Sequence, residues 1–231
     1  MKKYIFIYLL SLTFNGLAQS KDSLKYNKFN IGFTFSPDYS YRILKTDASN
    51  QWIKDTYDTL EVSKYGYTTG LNIIFYLNKR LFFSSGLLFA DKGERTKNYP
   101  IQPVNNYINH FYYLDIPIKA NYYFKHKKYF YSKPKKIKVF LTGGTSVNVY
   151  LSSRTTTKVT NDETEPFAKS LQLSRLNFSF IAGLGMNCPI TNKWYFKLES
   201  NYRRSITRVA NAPVKKYFYS LGLNIGLFCK F

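Results

Sequence analysis

"KYFYSLGLNIGLFCKF", residues 216–231, decides the fold. Counting back by twos from Cys229 gives Leu227, Ile225, Leu223, Leu221, Tyr219 and Tyr217, a stripe of bulky apolar side chains. The residues between them are Lys230, Phe228, Gly226, Asn224, Gly222, Ser220 and Phe218. A repeat of two is the side-chain period of a β-strand, so the segment has an aliphatic face with an aromatic rim and a small, polar face closed by Phe at both ends.

The same period recurs seven more times upstream. "FNIGFTFS" (29–36) sets Phe29, Ile31, Phe33 and Phe35 against Asn30, Gly32, Thr34 and Ser36. "YGYTTGLNIIFYL" (65–77), "LFFSSGLLFADKG" (81–93), "YYLDIPIKANYYF" (112–124), "IKVFLTGGTSVNVYL" (137–151), "LNFSFIAGLGMN" (176–187) and "KWYFKLESNYRR" (193–204) alternate alike. Each run is about a dozen residues. A tilted strand needs about 9–11 residues to cross a bilayer, whereas soluble strands centre on about 5–6. Short links ("NKR", "PITN" and, less tidily, "KHKKYFYSKPKK") alternate with longer polar ones at about 42–64, 94–110, 152–175 and 206–215. Short turns at one end and long loops at the other are the pattern of an outer membrane barrel. The fold class expected is all-β, an eight-stranded antiparallel up-and-down transmembrane β-barrel with both termini on the short-turn, periplasmic side.

Glycine settles which face is outside. Gly32, Gly66, Gly70, Gly86, Gly144, Gly183, Gly185, Gly222 and Gly226 all fall on the polar face, and Gly143 is the exception. Small residues belong where space is short, inside a narrow barrel, so the bulky set meets lipid. Aromatics near strand ends, among them Tyr65, Tyr67, Tyr122, Phe124, Trp194, Tyr202, Tyr217 and Tyr219, suit interfacial girdles. The opposite assignment gives a soluble, lipocalin-like barrel that binds an apolar ligand, and it stays as the rival. Pro117 sits in mid-strand without an N–H, and a bulge or register break is expected there.

Composition agrees with this division. The chain has 231 residues with 22 Tyr and 20 Phe, and its apolar residues are dispersed rather than gathered in one block; mean hydropathy is −0.31. Residues 1–18 read as a signal peptide: Lys2 and Lys3, the apolar run 4–14, then Gly16 and Ala18 before the cleavage point. Residues 19–27 follow as a short periplasmic segment, and 28–231 form the barrel. Export to the outer membrane of a Gram-negative cell makes nucleic acid an improbable partner for a net charge of +21.

Three groups of residues carry chemistry. Asp115, Lys119, Lys197, Glu199 and Arg203 lie on the inward face of two strands. In a lumen filled by Tyr76, Phe82, Leu88, Tyr113, Phe140, Tyr150, Ile181, Tyr195, Phe218 and Phe228 they form a structural salt-bridge plug in preference to a gated ion path, and no open pore is expected. His110 and His126 are the histidines. Neither has a nucleophile motif or metal-ligand spacing around it, so no enzyme, catalytic residue, metal or cofactor is expected. The basic turn 125–136 and the set Arg203, Arg204, Arg208, Lys215 and Lys216 read equally as an ordinary charged rim or as contacts to lipid phosphates, lipopolysaccharide included. Cys188 and Cys229 are separated by a strand, roughly 9–10 Å by strand spacing, beyond the reach of about 7 Å that a disulfide allows.

"GLLFADKG" (86–93) resembles the G-L-x-Y-x-x-K-G signature of the PorT-like outer membrane β-barrel family, with Phe89 in place of the Tyr. "YLDIPIKANYYF" (113–124) is similar to that family's Y-L-E-I-P-L strand, and "FKLESNYRRSI" and "SLGLNIGLFCKF" to its last two strands. The resemblance implies an OmpA-like eight-stranded barrel, an accessory role in protein secretion and gliding, and a C-terminal aromatic, Phe231, that serves as the assembly signal. The partners expected are outer membrane lipid, the barrel assembly machinery and proteins of a secretion system, around a monomer.

Overall fold

The computed structural model describes residues 29–96, 106–124, 137–158, 163–164, 173–209 and 214–231. Eight long strands run through them in chain order. They are β1 (Phe29–Lys45), β2 (Glu61–Tyr76), β3 (Leu81–Thr96), β4 (Asn106–Tyr123), β5 (Lys138–Lys158), β6 (Leu176–Pro189), β7 (Trp194–Ser205) and β8 (Lys215–Lys230). Each pairs antiparallel with its sequence neighbour. β1 also pairs with β8, from Asn30↔Lys230 to Lys45↔Lys215, which closes the sheet on itself. A two-residue strand, Glu163–Thr164, adds to the far end of β5. The closed, eight-stranded barrel expected from the periodicity is the fold observed.

Burial follows the alternation. Along β1 and β7 exposed and buried residues take turns over nearly the full length. The exposed set is apolar, for example Phe33, Leu71, Leu87, Ile118, Leu184 and Leu221, and the buried set is largely polar or small. An apolar exterior around a polar interior suits hydrocarbon surroundings, where a closed ladder leaves no backbone group without a partner. The glycines fit the crowding inside. A Cβ added to Gly32 would lie 2.4 Å from the Phe228 ring, and one added to Gly185 2.2 Å from Phe140. Gly143, the exception in the pattern, has nothing within 4 Å of such a Cβ.

The short turns are held by side chains. Asn78 Oδ1 accepts from the N–H groups of Arg80 and Leu81, both at 2.8 Å. Thr191 Oγ1 accepts from Lys193 and Trp194 N–H, at 3.3 and 3.0 Å. Asn and Thr reach neighbouring backbone in this way because their polar atoms stand one or two bonds from Cβ.

Three expectations need correction. The strands are longer than a dozen residues at the long-loop end, reaching 21 residues in β5. The link 42–64 is not one irregular loop: β1 continues to Lys45, a 3-10 turn (Ala48–Asn50) follows, and α1 (Gln51–Leu60) leads directly into β2. Pro117 produces neither a bulge nor a register break. Its pairing with Ser146 of β5 lies in an unbroken run, and the β3 ladder skips two pairs there, from Ser85↔Ile118 to Leu88↔Asp115, while keeping register. The missing N–H lies on the β3 side and removes ladder bonds locally. Pro37 does the same to β8, where pairing jumps from Phe35↔Ile225 to Asp38↔Gly222. The register shifts occur elsewhere, between Ser63 and Tyr67 and between Tyr112 and Tyr113. His126 and the basic turn 125–136 lie outside the described residues, as do the segments 1–18 and 19–27.

Candidate functional site

The lumen contains two aromatic clusters with charges between them. At the short-turn end Phe82, Tyr123, Phe140, Tyr195 and Phe228 pack with Ile74. Toward the long-loop end Phe111, Tyr113 and Phe218 pack with Ala90 and Val209. Each cluster draws on several strands because the inward set of one strand faces the inward sets of the others. Tyr195, Tyr123 and Tyr76 turn their hydroxyls to one another or to amides: Asn30 donates to Tyr195 at 2.9 Å, and Asn187 to Tyr123 at 2.5 Å.

All five lumen charges singled out from the sequence are buried. The structure groups them in two sets. Glu199 lies between two ammonium groups, 2.6 Å from Lys119 Nζ and 2.7 Å from Lys197 Nζ. Lys197 Nζ also stands 5.0 Å from the Phe140 ring centre, over the lower aromatic cluster. Asp115 takes Arg203 at 3.5 Å and, at 2.8 Å, a partner the sequence did not assign to the set, Lys92. The chain of contacts continues through Arg203 Nη1, which donates to Thr68 Oγ1 at 3.2 Å. Thr68 and Ser36 both donate to Asp38. Nearer the long-loop end Lys216 Nζ stands 2.6 Å from Glu94, and Arg42 pairs with Glu61 and, at 3.3 Å, with Asp58.

Lys216 therefore belongs to the lumen and not to the outer basic rim, where the sequence placed it together with Arg203. The reason is parity: Lys216 and Arg203 sit on the inward sets of β8 and β7, and Lys215 and Arg204 on the outward sets. Lys92 was legible as part of the polar set of β3, and its register opposite β4 was not. Asp38 and Arg42 lie past the run 29–36 read from the sequence, and the inward even positions continue beyond it as Asp38, Ser40 and Arg42.

His110 is held between two charged side chains. Its Nδ1 lies 3.0 Å from Asp91 Oδ2 and 2.7 Å from Lys64 Nζ, and Lys64 Nζ lies 2.5 Å from Asp91 Oδ1. Asp91 pairs in register with Tyr67 and Tyr112 on the outward set, and the His110 ring stacks on Tyr112 at 6.0 Å. The trio ties β2, β3 and β4 together, with Lys64 and Asp91 buried. No hydroxyl nucleophile is hydrogen-bonded to His110 among the described residues. Among the same residues no group of His, Cys, Asp and Glu has the makings of a metal site. Cys188 and Cys229 are free. Phe231 donates its backbone N–H to the Phe29 carbonyl at 3.0 Å, and its ring is 66% exposed.

The chain belongs to the outer membrane protein beta-barrel domain family, whose profile matches residues 17–230. No curated protein matches it. Among solved structures it is similar to OprG from Pseudomonas aeruginosa, at 11% identity and TM-score 0.51, over 88% of this chain and 96% of OprG. It is also similar to the Neisserial surface protein NspA, at 13% identity and TM-score 0.47, over 88% and 97%. A third similar barrel is Ail of Yersinia pestis, at 10% identity and TM-score 0.38, over 86% and 97%. The OprG match carries the comparison, and it speaks for the fold.

Glu199 is the keystone of the lower charge set, since both of its neighbours are buried cations. Glu199→Gln is expected to destabilise the barrel by about 3–5 kcal/mol, the cost of leaving a buried charge uncompensated. Replacing the whole group, as K119M/K197M/E199L, is expected to restore most of that loss. Urea unfolding of the barrel in lipid vesicles measures both. Unchanged stability in E199Q would show that the cluster is not the plug described.

Proposed function

We propose that this outer membrane barrel works through its surfaces and does not pass solute along its axis. The observation that carries the reading is the occupied lumen: two aromatic clusters, with Lys119–Glu199–Lys197 and Lys92–Asp115–Arg203 between them. An eight-stranded barrel has an interior just wide enough for side chains, and here the side chains are bonded to each other across it. A permeating ion would have to displace charge pairs held at 2.6–2.8 Å. The apolar exterior makes the protein a permanent membrane resident, reached through the signal peptide read at residues 1–18. What remains available for function is the long-loop end with α1, whose Trp52 is 68% exposed.

A narrower version of this proposal is the accessory role in secretion implied by the family resemblance. Supporting it, two of the segments that carry the resemblance, 86–93 and 113–124, lie side by side as β3 and β4, and the Lys of one forms an ion pair with the Asp of the other, Lys92–Asp115. The resemblance thus rests on residues that build the barrel, and the partner would be met at its exposed loops.

Two measurements follow. In planar bilayers the purified barrel is expected to show no discrete conductance steps, whereas K119A/K197A/E199A/D115A/R203A is expected to leak; steady channels in the unmodified protein would end the filled-lumen reading. A photo-crosslinker at Trp52, in intact cells, is expected to capture a defined envelope protein if the accessory role holds, and labelling of lipid alone would exclude it.

A further inference from the structure

The cations of this barrel are partnered very unevenly. Those in the lumen face carboxylates, and the buried Lys64 of β2 has Asp91. On the outer side of β1, β8 and β7, at the long-loop end, Lys45, Lys215, Arg204 and Arg208 are exposed, and none of them enters an ion pair among the described residues. Asp47, just past the end of β1, is the carboxylate nearest in sequence and pairs with none of them.

Register makes this patch more than a chance excess. Lys45 and Lys215 are directly opposite each other in the β1–β8 ladder. Like charges in directly opposed positions destabilise a sheet, so the pair is unfavourable in the protein alone. Arg204 pairs with Tyr219 on the same outward face. Arg208 precedes Val209, whose N–H donates to the Lys216 carbonyl at 2.8 Å, so it stands beside Tyr217 and Lys215. Just below Lys45 and Lys215, and level with Arg204, runs a group of tyrosines: Tyr41 against Tyr219 at 6.0 Å, Tyr202 against Tyr219 at 6.4 Å, and Tyr217 with Lys45 Nζ 5.5 Å from its ring centre. Tyrosines in that position mark the boundary between hydrocarbon and headgroups, and cations immediately above them stand at the depth of lipid phosphates.

We propose that the outward face of β1, β8 and β7 is a binding site for the phosphate groups of anionic lipids in the leaflet around the long-loop end. Lys45 and Lys215 share one phosphate, which removes their mutual repulsion, and Arg204 and Arg208 extend the site along the same face. Charge complementarity argues for this occupant: the site has four cations, no paired carboxylate and a tyrosine floor that sets its depth. The proposal rests on the membrane-barrel reading, which the heat-shifted migration of folded barrels on cold gels checks independently for every variant.

The test uses the refolded full chain in neutral detergent micelles, titrated with phosphatidylglycerol, phosphatidylcholine or inorganic phosphate, with bound molecules counted by native mass spectrometry. The unmodified protein is expected to prefer phosphatidylglycerol over phosphatidylcholine by about tenfold or more, on the scale of one or two surface cations. K45Q/R204Q is expected to lose most of that preference, and K79Q/R80Q, at the short-turn end, to keep it. Lys215→Glu gives a sharper separation: it places an acid opposite Lys45, so the barrel is expected to unfold at a higher temperature while its lipid preference falls. Equal binding of the two lipids by the unmodified protein overturns the proposal, as does a preference that survives in both K45Q/R204Q and K215E. Binding of inorganic phosphate equal to that of phosphatidylglycerol overturns the assignment to lipid.

Discussion

Hydrocarbon leaves no water to satisfy a backbone N–H or C=O, so a strand that enters it must have both edges paired along its length. The pairing of β1 with β8, from Asn30↔Lys230 to Lys45↔Lys215, meets that demand for the whole sheet, because without it two long edges would face lipid. The other features are consequences. Once the sheet is closed with eight strands, the interior is narrow, so half of every strand must be small or must interlock. Gly32 beneath the Phe228 ring and Gly185 against Phe140 show how little room is left. The two mid-strand prolines show the tolerance of the arrangement. Pro37 and Pro117 each remove ladder bonds to one neighbour, and the other neighbour holds register.

The closed interior then dictates its electrostatics. Charges taken out of water survive only in company, since an isolated buried ion costs far more than any contact returns. Seven buried cations and six buried carboxylates nearly balance. The net charge of +21 therefore resides almost wholly outside that set. Nearly half of the chain's 13 acidic residues are committed to matching buried cations, which leaves the outer face of β1, β8 and β7 with cations alone. Filling of the lumen and bareness of the basic face are two sides of one allocation of carboxylates.

Much of this was legible in the sequence, because the side-chain period of a strand is insensitive to tertiary detail. The faces of all eight strands, the inward glycines and the five lumen charges follow from counting by twos. What stayed hidden depended on register, which no single strand encodes. Lys92 and Asp115 are each visible as polar-face residues, and their pairing comes from the alignment Leu88↔Asp115. The shift between Ser63 and Tyr67 breaks the count in β2 and concealed that Lys64 meets Asp91 and His110. The helix α1 has Asn50 at its N-cap but no capping side-chain bond, and it buries none of its residues, so no core contact sets it apart from a polar loop. The run 29–36 stops short of the strand observed, whose ladder to β2 continues through Pro37 to Ser40.

The central claim is that the bulky alternate face of each strand, the odd-numbered one in β8, contacts lipid and the opposite face is packed inside. A spin-label scan along 219–227 of β8, in a variant with Cys188 and Cys229 replaced by Ser and the barrel reconstituted in vesicles, tests it most directly. The account predicts that labels at 219, 221, 223, 225 and 227 collide freely with oxygen dissolved in the bilayer. Labels at 220, 222, 224 and 226 should be shielded from oxygen and from an aqueous nickel reagent, or prevent folding. Oxygen contact without a period of two, or nickel contact at the odd positions, would contradict it.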